Sequence, residues 1–427
     1  MRFLFVHQSF PAQYWRVMEW LRGLGHDITY ITTRTDNAMR AVRKIEYPFA
    51  PETPPGVHAG ARDLDLALRR ADVVASVARE LATSGYRPDM ILGHHGWGEL
   101  LNLQDVWPDV PLLGYLEFYY HATGYETGFD PEFVPPAGSD AWVRARNAVN
   151  LLALTNPGLG QTPTRFQLGT YPAPLRHRIR LIEEGVDLAT YAPSPEARTV
   201  PLPLGTMSTT EEFRARLAGT VIAPGDKLVT FVSRALEPTR GFHIMMRALP
   251  RLLRRRDVHV AIVGREGHGY GPQLEGKSWK QHFLAEVGGQ IDQARVHFLD
   301  LVDTQSYQAL LRRSDAHVYL TYPFVASWSL REALAMGCAV VGSDTEPVRE
   351  FITDGYNGTL VPFFDAPRLA DSVLRILEDQ EFASGLQVAA RNFAQVSLPL
   401  ARTIDAYRIT MEALLQRPIV RVSSDVA

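Results

Sequence analysis

Cysteine is almost absent from this chain: Cys338 is the only one among 427 residues. A single thiol excludes an internal disulfide and any multi-cysteine metal site, and it suits a reducing compartment. Long apolar runs are missing as well, and no stretch reaches the roughly 18 residues that a membrane span needs. At the start, Met1-Arg2-Phe3-Leu4-Phe5-Val6-His7, four apolar residues follow Arg2. A secretory core has about 7–15, so the reading is a cytoplasmic start with a strand beginning at once. An excess of one charge is lacking too. Lys plus Arg is 44 and Asp plus Glu is 47, a net charge of −3, which excludes a wholly basic nucleic-acid binder; no nucleic acid is expected as a partner. What is present is ordinary for a soluble globular protein: 46% apolar and 21% charged residues. At roughly 150 residues per domain the length allows two or three domains.

The patterning is α/β. Phe3 to Val6 is a short apolar run that reads as a strand buried on both faces. Tyr14, Val17, Met18, Leu21 and Leu24 recur at helical spacing and Gly25 stops the helix. Ile28 to Ile31 is the next strand, which makes a βαβ unit and requires a parallel sheet. Further strands are expected at 90–92, 112–115, 152–155 and 179–182. The same grammar restarts near residue 228, with strands at 228–232, 258–263, 296–299, 316–320 and 339–341. A helical face lies between the first two (Phe242, Met245, Met246, Leu249, Leu252). Two alternating series imply two doubly wound domains. Between them Pro193, Pro195, Pro201, Pro203 and Pro224 mark a linker. The tail from about 380 reads as helical, interrupted at Leu398-Pro399.

Ligands of open parallel sheets bind beyond the C-terminal ends of the strands, so the residues there are the candidates. Ser233-Arg234-Ala235-Leu236-Glu237-Pro238-Thr239-Arg240-Gly241 places two guanidiniums in a short loop before a helix, a pattern suited to phosphate; the alternative is two solvated arginines. Ser327-Trp328-Ser329-Leu330 opens a helix whose N-terminus suits a diphosphate. Glu332, one turn on, suits ribose hydroxyls or is a surface glutamate, and Trp328 suits packing equally well. Gly264 to Gly271 is glycine-rich without the G-x-G-x-x-G spacing. Arg251, Arg254, Arg255 and Arg256 suit either anionic lipid or a solvated helix face. In the first half, His94-His95-Gly96-Trp97-Gly98-Glu99, Glu117-Phe118-Tyr119-Tyr120-His121 and Thr127 to Phe133 follow strands and suit binding and acid–base work. His94, His95 and His121 do not make a metal site by spacing, and no H-E-x-x-H is present; no metal is expected.

Together these stretches carry a resemblance. Ser233–Gly241, Ser329–Ser343 with Pro347-x-x-Glu350, and Asp354-Gly355-Tyr356-Asn357-Gly358-Thr359-Leu360-Val361 resemble, in order and spacing, the C-terminal domain of family-4 retaining GT-B glycosyltransferases. Glu183-Glu184-Gly185-Val186-Asp187 resembles the strand end before that family's interdomain crossing. His94–Leu103, Tyr115–Tyr120 and Gly128–Phe133 resemble a bacterial subgroup, with its H-x-G-W-G-E and F-D-P-E-F stretches. The resemblance implies an α/β GT-B fold of two Rossmann-like domains facing a central cleft. It implies an acceptor domain over 1–190, a linker over 191–226, a nucleotide-sugar donor domain over 227–395, and a C-terminal helix and tail over 396–427 that returns to the first domain.

The same resemblance assigns roles. Arg234, Arg240, Glu332, Glu117 and His95 stand at catalytic positions, Arg240 where the family usually has lysine. Ser233, Glu237, Gly264, Trp328, Ser329 and Leu330 stand on the donor side, and Ser9, His94, Tyr120 and Asp130 on the acceptor side. Three departures stand out. Phe324 occupies the position of the first glutamate of the family's E-x7-E motif, beside the donor sugar, leaving backbone N–H groups around 326–329 to take its place. The loop His7–Gln13 lacks the usual Gly-Gly pair. The family's first-domain histidine is replaced by Glu117, so its role falls to Glu117, His94 or His95, or lapses. The implied activity is retaining transfer from a nucleotide diphosphate sugar, UDP- or GDP-linked, to a saccharide or lipid-linked saccharide in bacterial polysaccharide or glycolipid assembly. No tightly bound cofactor and no metal are required. Peripheral contact with the inner face of the membrane goes with it. Two other readings of the same residues are a non-catalytic GT-B subunit that binds a glycan or a partner enzyme, and a nucleotide-sugar epimerase.

Overall fold

The computed structural model describes residues 1–34, 42–52, 54–156, 158–267, 269–271 and 274–422. They form two compact units: Met1–Glu184 with Ala401–Ala427, and Gly185–Leu400. Among the described residues no helix is long and apolar enough to cross a membrane.

The first unit is built on strands β1 (Arg2–Val6), β2 (Asp27–Thr32), β3 (Arg43–Glu46), β4 (Met90–His94), β5 (Leu112–Tyr115), β6 (Leu159–Thr162) and β7 (Ile179–Leu181), in the spatial order β3-β2-β1-β4-β5-β6-β7. Every pairing is parallel. Alternation along β1 explains why the sheet needs cover on both faces. Phe3 and Phe5 enter one core with Tyr14, Val17, Met18 and Leu21 of the first helix, and Leu4 and Val6 enter the other with Val74, Ala78 and Leu100. The tail helix Leu400–Leu415 returns Tyr407 and Met411 to the first of these cores. Burying two such side chains contributes roughly 1.5–3 kcal/mol each.

One expected strand is a helix. Residues 152–155 end the helix Ala148–Thr155, and the strand is Leu159–Thr162. The run Leu151-Leu152-Ala153-Leu154 consists of good helix formers with no β-branched residue. Its buried positions, Val149, Asn150, Ala153 and Leu154, recur at helical spacing while Leu151 and Leu152 are exposed. The true strand, Leu-Gly-Gln-Thr, carries one large apolar side chain and so gives no hydrophobic signal.

The second unit repeats the plan. Its first strands, β8 (Leu202–Pro203) and β9 (Val221–Ile222), form a small antiparallel pair. Then follow β10 (Lys227–Ala235), β11 (Val258–Arg265), β12 (Val296–Asp300), β13 (Ala316–Tyr319), β14 (Val340–Ser343) and β15 (Thr359–Val361), ordered β12-β11-β10-β13-β14-β15. All pairings of this larger sheet are parallel. The stretch 191–226 belongs to this unit, and Leu204, Met207, Leu217 and Ile222 share a core with Leu228, Val263 and Leu299. Cys338 is also core: burial pushes its thiol up to about 12, and it donates weakly to the Leu311 carbonyl. It is chemically inert there.

Both sheets reverse strand order once, between β1 and β4 and between β10 and β13. Such switch points open a crevice at the C-terminal ends of the strands.

Candidate active site

In the second unit the register of β10 against β11 shifts between Val232 and Ala235. A bulge turns one side chain out of the sheet, and here it is Arg234. Its guanidinium is exposed and makes no hydrogen bond or ion pair with any described residue. The Ser233 hydroxyl is spent on the Ala235 carbonyl at 2.7 Å.

Glu237 is 2% exposed. Its carboxylate accepts the Tyr270 N–H at 3.0 Å and the Gly271 N–H at 2.7 Å, so it ties the glycine-rich loop to the end of β10. A Cβ on Gly269 would lie 2.3 Å from that carboxylate, and one on Gly271 would lie 2.4 Å from the Thr239 hydroxyl. The glycines are therefore a packing requirement of Glu237 and Thr239. Gly264 fits the same logic: φ is +155° and a Cβ would meet Leu236 at 2.7 Å. His268 of this loop lies outside the described residues.

Arg240 is engaged where Arg234 is free. Its Nη1 donates to the Thr321 hydroxyl at 2.9 Å and to the Val325 carbonyl at 2.7 Å. The guanidinium carbon stands 5.7 Å from the rings of both Tyr270 and Phe324, which meet edge to face at 5.0 Å. Phe324 thus fills the position of the missing glutamate with a buried ring held under a cation. The helix Trp328–Ala335 begins just beyond, with no side-chain cap on its first turn. Ser327 donates its N–H to the Tyr319 hydroxyl at 2.7 Å, and the Ser327 and Ser329 hydroxyls lie 2.7 Å apart. Trp328 is 49% exposed. Leu330 is core, and its backbone N–H is already given to the Ser327 carbonyl at 3.3 Å. Glu332 accepts the Tyr307 hydroxyl at 2.7 Å, and burial raises its pKa above the usual carboxylate range.

In the first unit the candidates gather beyond β1, β4 and β5. His94 accepts the Gly96 N–H on Nδ1 at 3.0 Å, and its Nε2 stands 3.8 Å from Glu117 Oε2. Its ring packs against His7, Tyr115 and Trp97. Burial holds His94 well below the ordinary histidine range and His7 down to about 4, so both rings are neutral at pH 7. His95 points elsewhere. Its ring fills the space left by Gly114, where a Cβ would come within 2.0 Å, and burial drives it down to about 3. The Ser9 backbone is bound to His7, while its hydroxyl has no partner among the described residues. Asn147 clamps the Tyr120 backbone at 2.8 and 2.7 Å, and Arg146 lies 3.9 Å over the Tyr120 ring. Asp130 is buried and accepts the Glu132 N–H at 2.9 Å.

Three residues that the sequence does not assign a role complete the second unit's site: Thr321, Tyr270 and Tyr307. In the first unit Glu99, the last residue of the H-x-G-W-G-E stretch, does the same. Glu99 is fully buried. Its Oε1 accepts the Gln8 N–H at 2.8 Å and the Tyr47 hydroxyl at 3.1 Å, while Oε2 has no partner among the described residues. Burial raises it to about 7. It fixes the loop after β1 from below.

Comparison with known proteins places the two domains and the fold. Residues 24–191 match the model of the glycosyl transferase family 4 group, and residues 226–379 match that of glycosyl transferases group 1. A phosphatidyl-myo-inositol mannosyltransferase of Mycolicibacterium smegmatis is 35% identical over 164 residues, which is 37% of this chain and 38% of that protein. The matched region therefore spans well under half of that relative. Among solved structures, Anabaena HepE in complex with UDP-glucose superposes with a TM-score of 0.66 at 18% identity, covering 97% of this chain and all of that one. Sucrose-phosphate synthase of Thermosynechococcus elongatus gives 0.69 at 16% identity, covering 97% of this chain and all of that one. By these matches residues 24–191 are a glycosyl transferase family 4 group domain and residues 226–379 a glycosyl transferases group 1 domain, on a fold shared with GT-B glycosyltransferase structures.

Proposed function

We propose that this protein is a retaining glycosyltransferase that moves a sugar from a nucleoside diphosphate sugar to a hydroxyl of a saccharide or lipid-linked saccharide. The observation that carries the reading is Arg234: an unpaired guanidinium, turned out by a bulge at a topological switch point. As the donor breaks, negative charge gathers on the leaving diphosphate. A preplaced cation and the open first turn of the helix Trp328–Ala335 stabilise that charge without reorganising. Arg240, fixed by Thr321 and Val325, shapes the wall beside it. Glu332, held by Tyr307, accepts from ribose. With Arg234 and the helix N-terminus taking up the charge of the leaving diphosphate, the reading assigns no metal to the reaction. Retention follows from attack on the leaving-group face, with a donor phosphate oxygen taking the acceptor proton. UDP-glucose in the HepE structure supports a nucleotide sugar as donor, with UDP and GDP the bases to test. Acceptor binding is assigned to Ser9, His94, Glu117, Tyr120 and Asp130, in a cytoplasmic protein working at the inner face of the membrane. His94 and Glu117 are the pair available for proton handling there, and His95 serves as packing.

Release of nucleoside diphosphate, followed with UDP- and GDP-sugars, tests the reading. Arg234→Ala and Glu332→Ala should each lower turnover by about 10²-fold or more with the fold intact. Near wild-type rates in both would remove the donor site. Phe324 in place of the motif glutamate favours one other reading, a non-catalytic GT-B subunit. That reading gains if no donor is turned over.

A further inference from the structure

At the N-terminal edge of the first unit's sheet, opposite the loops discussed above, lies a depression of about 730 Å³. Its lining includes Arg2, Arg22, His26, Asp27, Arg43 and Tyr86. The topology brings these residues together. Arg2, Asp27 and Arg43 are the first residues of β1, β2 and β3, with Arg2 in register with Asp27 and Arg43 with Thr29. Arg22 stands in the last turn of the neighbouring helix Trp15–Gly23. None of the three guanidiniums makes a hydrogen bond or ion pair with a described residue; Arg43 has only the Tyr86 ring, 5.9 Å away. Other arginines of this unit, such as Arg16, Arg69, Arg146 and Arg408, are paired with carboxylates; what sets Arg2, Arg22 and Arg43 apart is that all three line one depression. A polar atom in the same wall, His26 Nε2, also has no partner among the described residues, and His26 is 6% exposed.

Three unpaired guanidiniums against one carboxylate leave a concave wall that is short of negative charge. Guanidinium forks match phosphoryl oxygens in pairs, and the volume is that of a small-molecule site. We propose that this depression binds a small solute carrying two or more phosphoryl groups, at a site separate from Arg234 and independent of the donor reading.

The test is calorimetric titration of the full chain with inorganic pyrophosphate, in wild type, Arg22→Ala/Arg43→Ala and Arg234→Ala. The expected result is that the double variant loses one binding event, its affinity falling roughly tenfold or more, while Arg234→Ala keeps that event. If the donor reading fails, Arg234→Ala behaves as wild type and the double variant still loses the event. Unchanged circular dichroism and thermal midpoint in the double variant confirm that it folds. A lipid headgroup offers the same chemistry, so sedimentation with phosphatidylcholine vesicles containing phosphatidic acid is the second arm. Pyrophosphate binding unaltered by the double substitution overturns the proposal. So does a loss confined to vesicle binding, which would reassign the surface to lipid.

Discussion

Arg234 and Arg240 are six residues apart and look alike in the sequence, yet the fold gives them opposite duties. Arg234 makes no hydrogen bond or ion pair with a described residue, whereas Arg240 holds Thr321 and Val325. Truncating an exposed, unpartnered side chain changes stability by about 0.5 kcal/mol or less. Truncating a half-buried charge-assisted donor costs up to about 1.5–3 kcal/mol. Arg234→Ala is thus expected to keep the thermal midpoint and lose activity, while Arg240→Ala lowers both; a lowered midpoint in Arg234→Ala would contradict the assignment. Glu99 allows a sharper test. Its pKa in the native state, about 7, lies above the ordinary value of about 4.3. The native state therefore holds a proton that the unfolded chain releases, and stability from this group falls as pH rises from about 4.5 to 7. The difference at pH 8 is about 4 kcal/mol. Glu99→Gln keeps the acceptor for Gln8 and Tyr47, so its midpoint should gain on wild type from pH 5 to pH 8. Equal slopes for the two proteins would refute the buried-acid account. Neither distinction was legible in the residue order, because burial and pairing decide it.

At the scale of elements, the glycine-rich loop was visible in the sequence but its reason was not. Its glycines make room for Glu237 and Thr239, which lie more than thirty residues earlier in the chain. Gly269→Ala should therefore displace Glu237 and cost about 1–3 kcal/mol, read as a drop in midpoint, whereas Gly225→Ala, outside the left-handed region, meets no atom within 4 Å. Equal effects would contradict this packing. The ends of β1 and β4 carry His7, His94 and His95, all depressed by burial. A histidine held neutral in the native state costs nothing above pH 6.5. Below it the unfolded chain takes up protons that the native state cannot, and stability is lost as the pH falls toward 4. With three such groups against Glu99, the first unit should melt earlier at pH 5 than at pH 7 in scanning calorimetry. A higher midpoint at pH 5 would show that these rings are not neutral. The strand read at 152–155 shows the limit of hydrophobic pattern: a four-residue apolar run fits strand and helix alike, and β6 has almost no pattern to read.

At the scale of the molecule, two parallel sheets with one order reversal each are what alternating βα grammar dictates, and nearly all their central strands were legible as apolar runs. The edge strand β3, Arg-Lys-Ile-Glu, was not, because its side chains are half exposed. Nor was the fate of 191–226, whose prolines hide a folded, core-contributing segment. The residue types on which the proposed donor site rests were legible at strand ends. Which cation is free, which acid holds the loop and which histidine is packing emerged only from contacts. The central claim is that Arg234 meets the diphosphate of a nucleotide sugar without a metal. Its most direct measurement is the thermal midpoint of wild type and Arg234→Ala with UDP, GDP and their sugars, with and without EDTA. A ligand that binds only the native state raises the midpoint by mass action. The account predicts a rise with the nucleotides of one base, unchanged by EDTA and absent in Arg234→Ala. A rise that EDTA abolishes, or that Arg234→Ala retains, would contradict it.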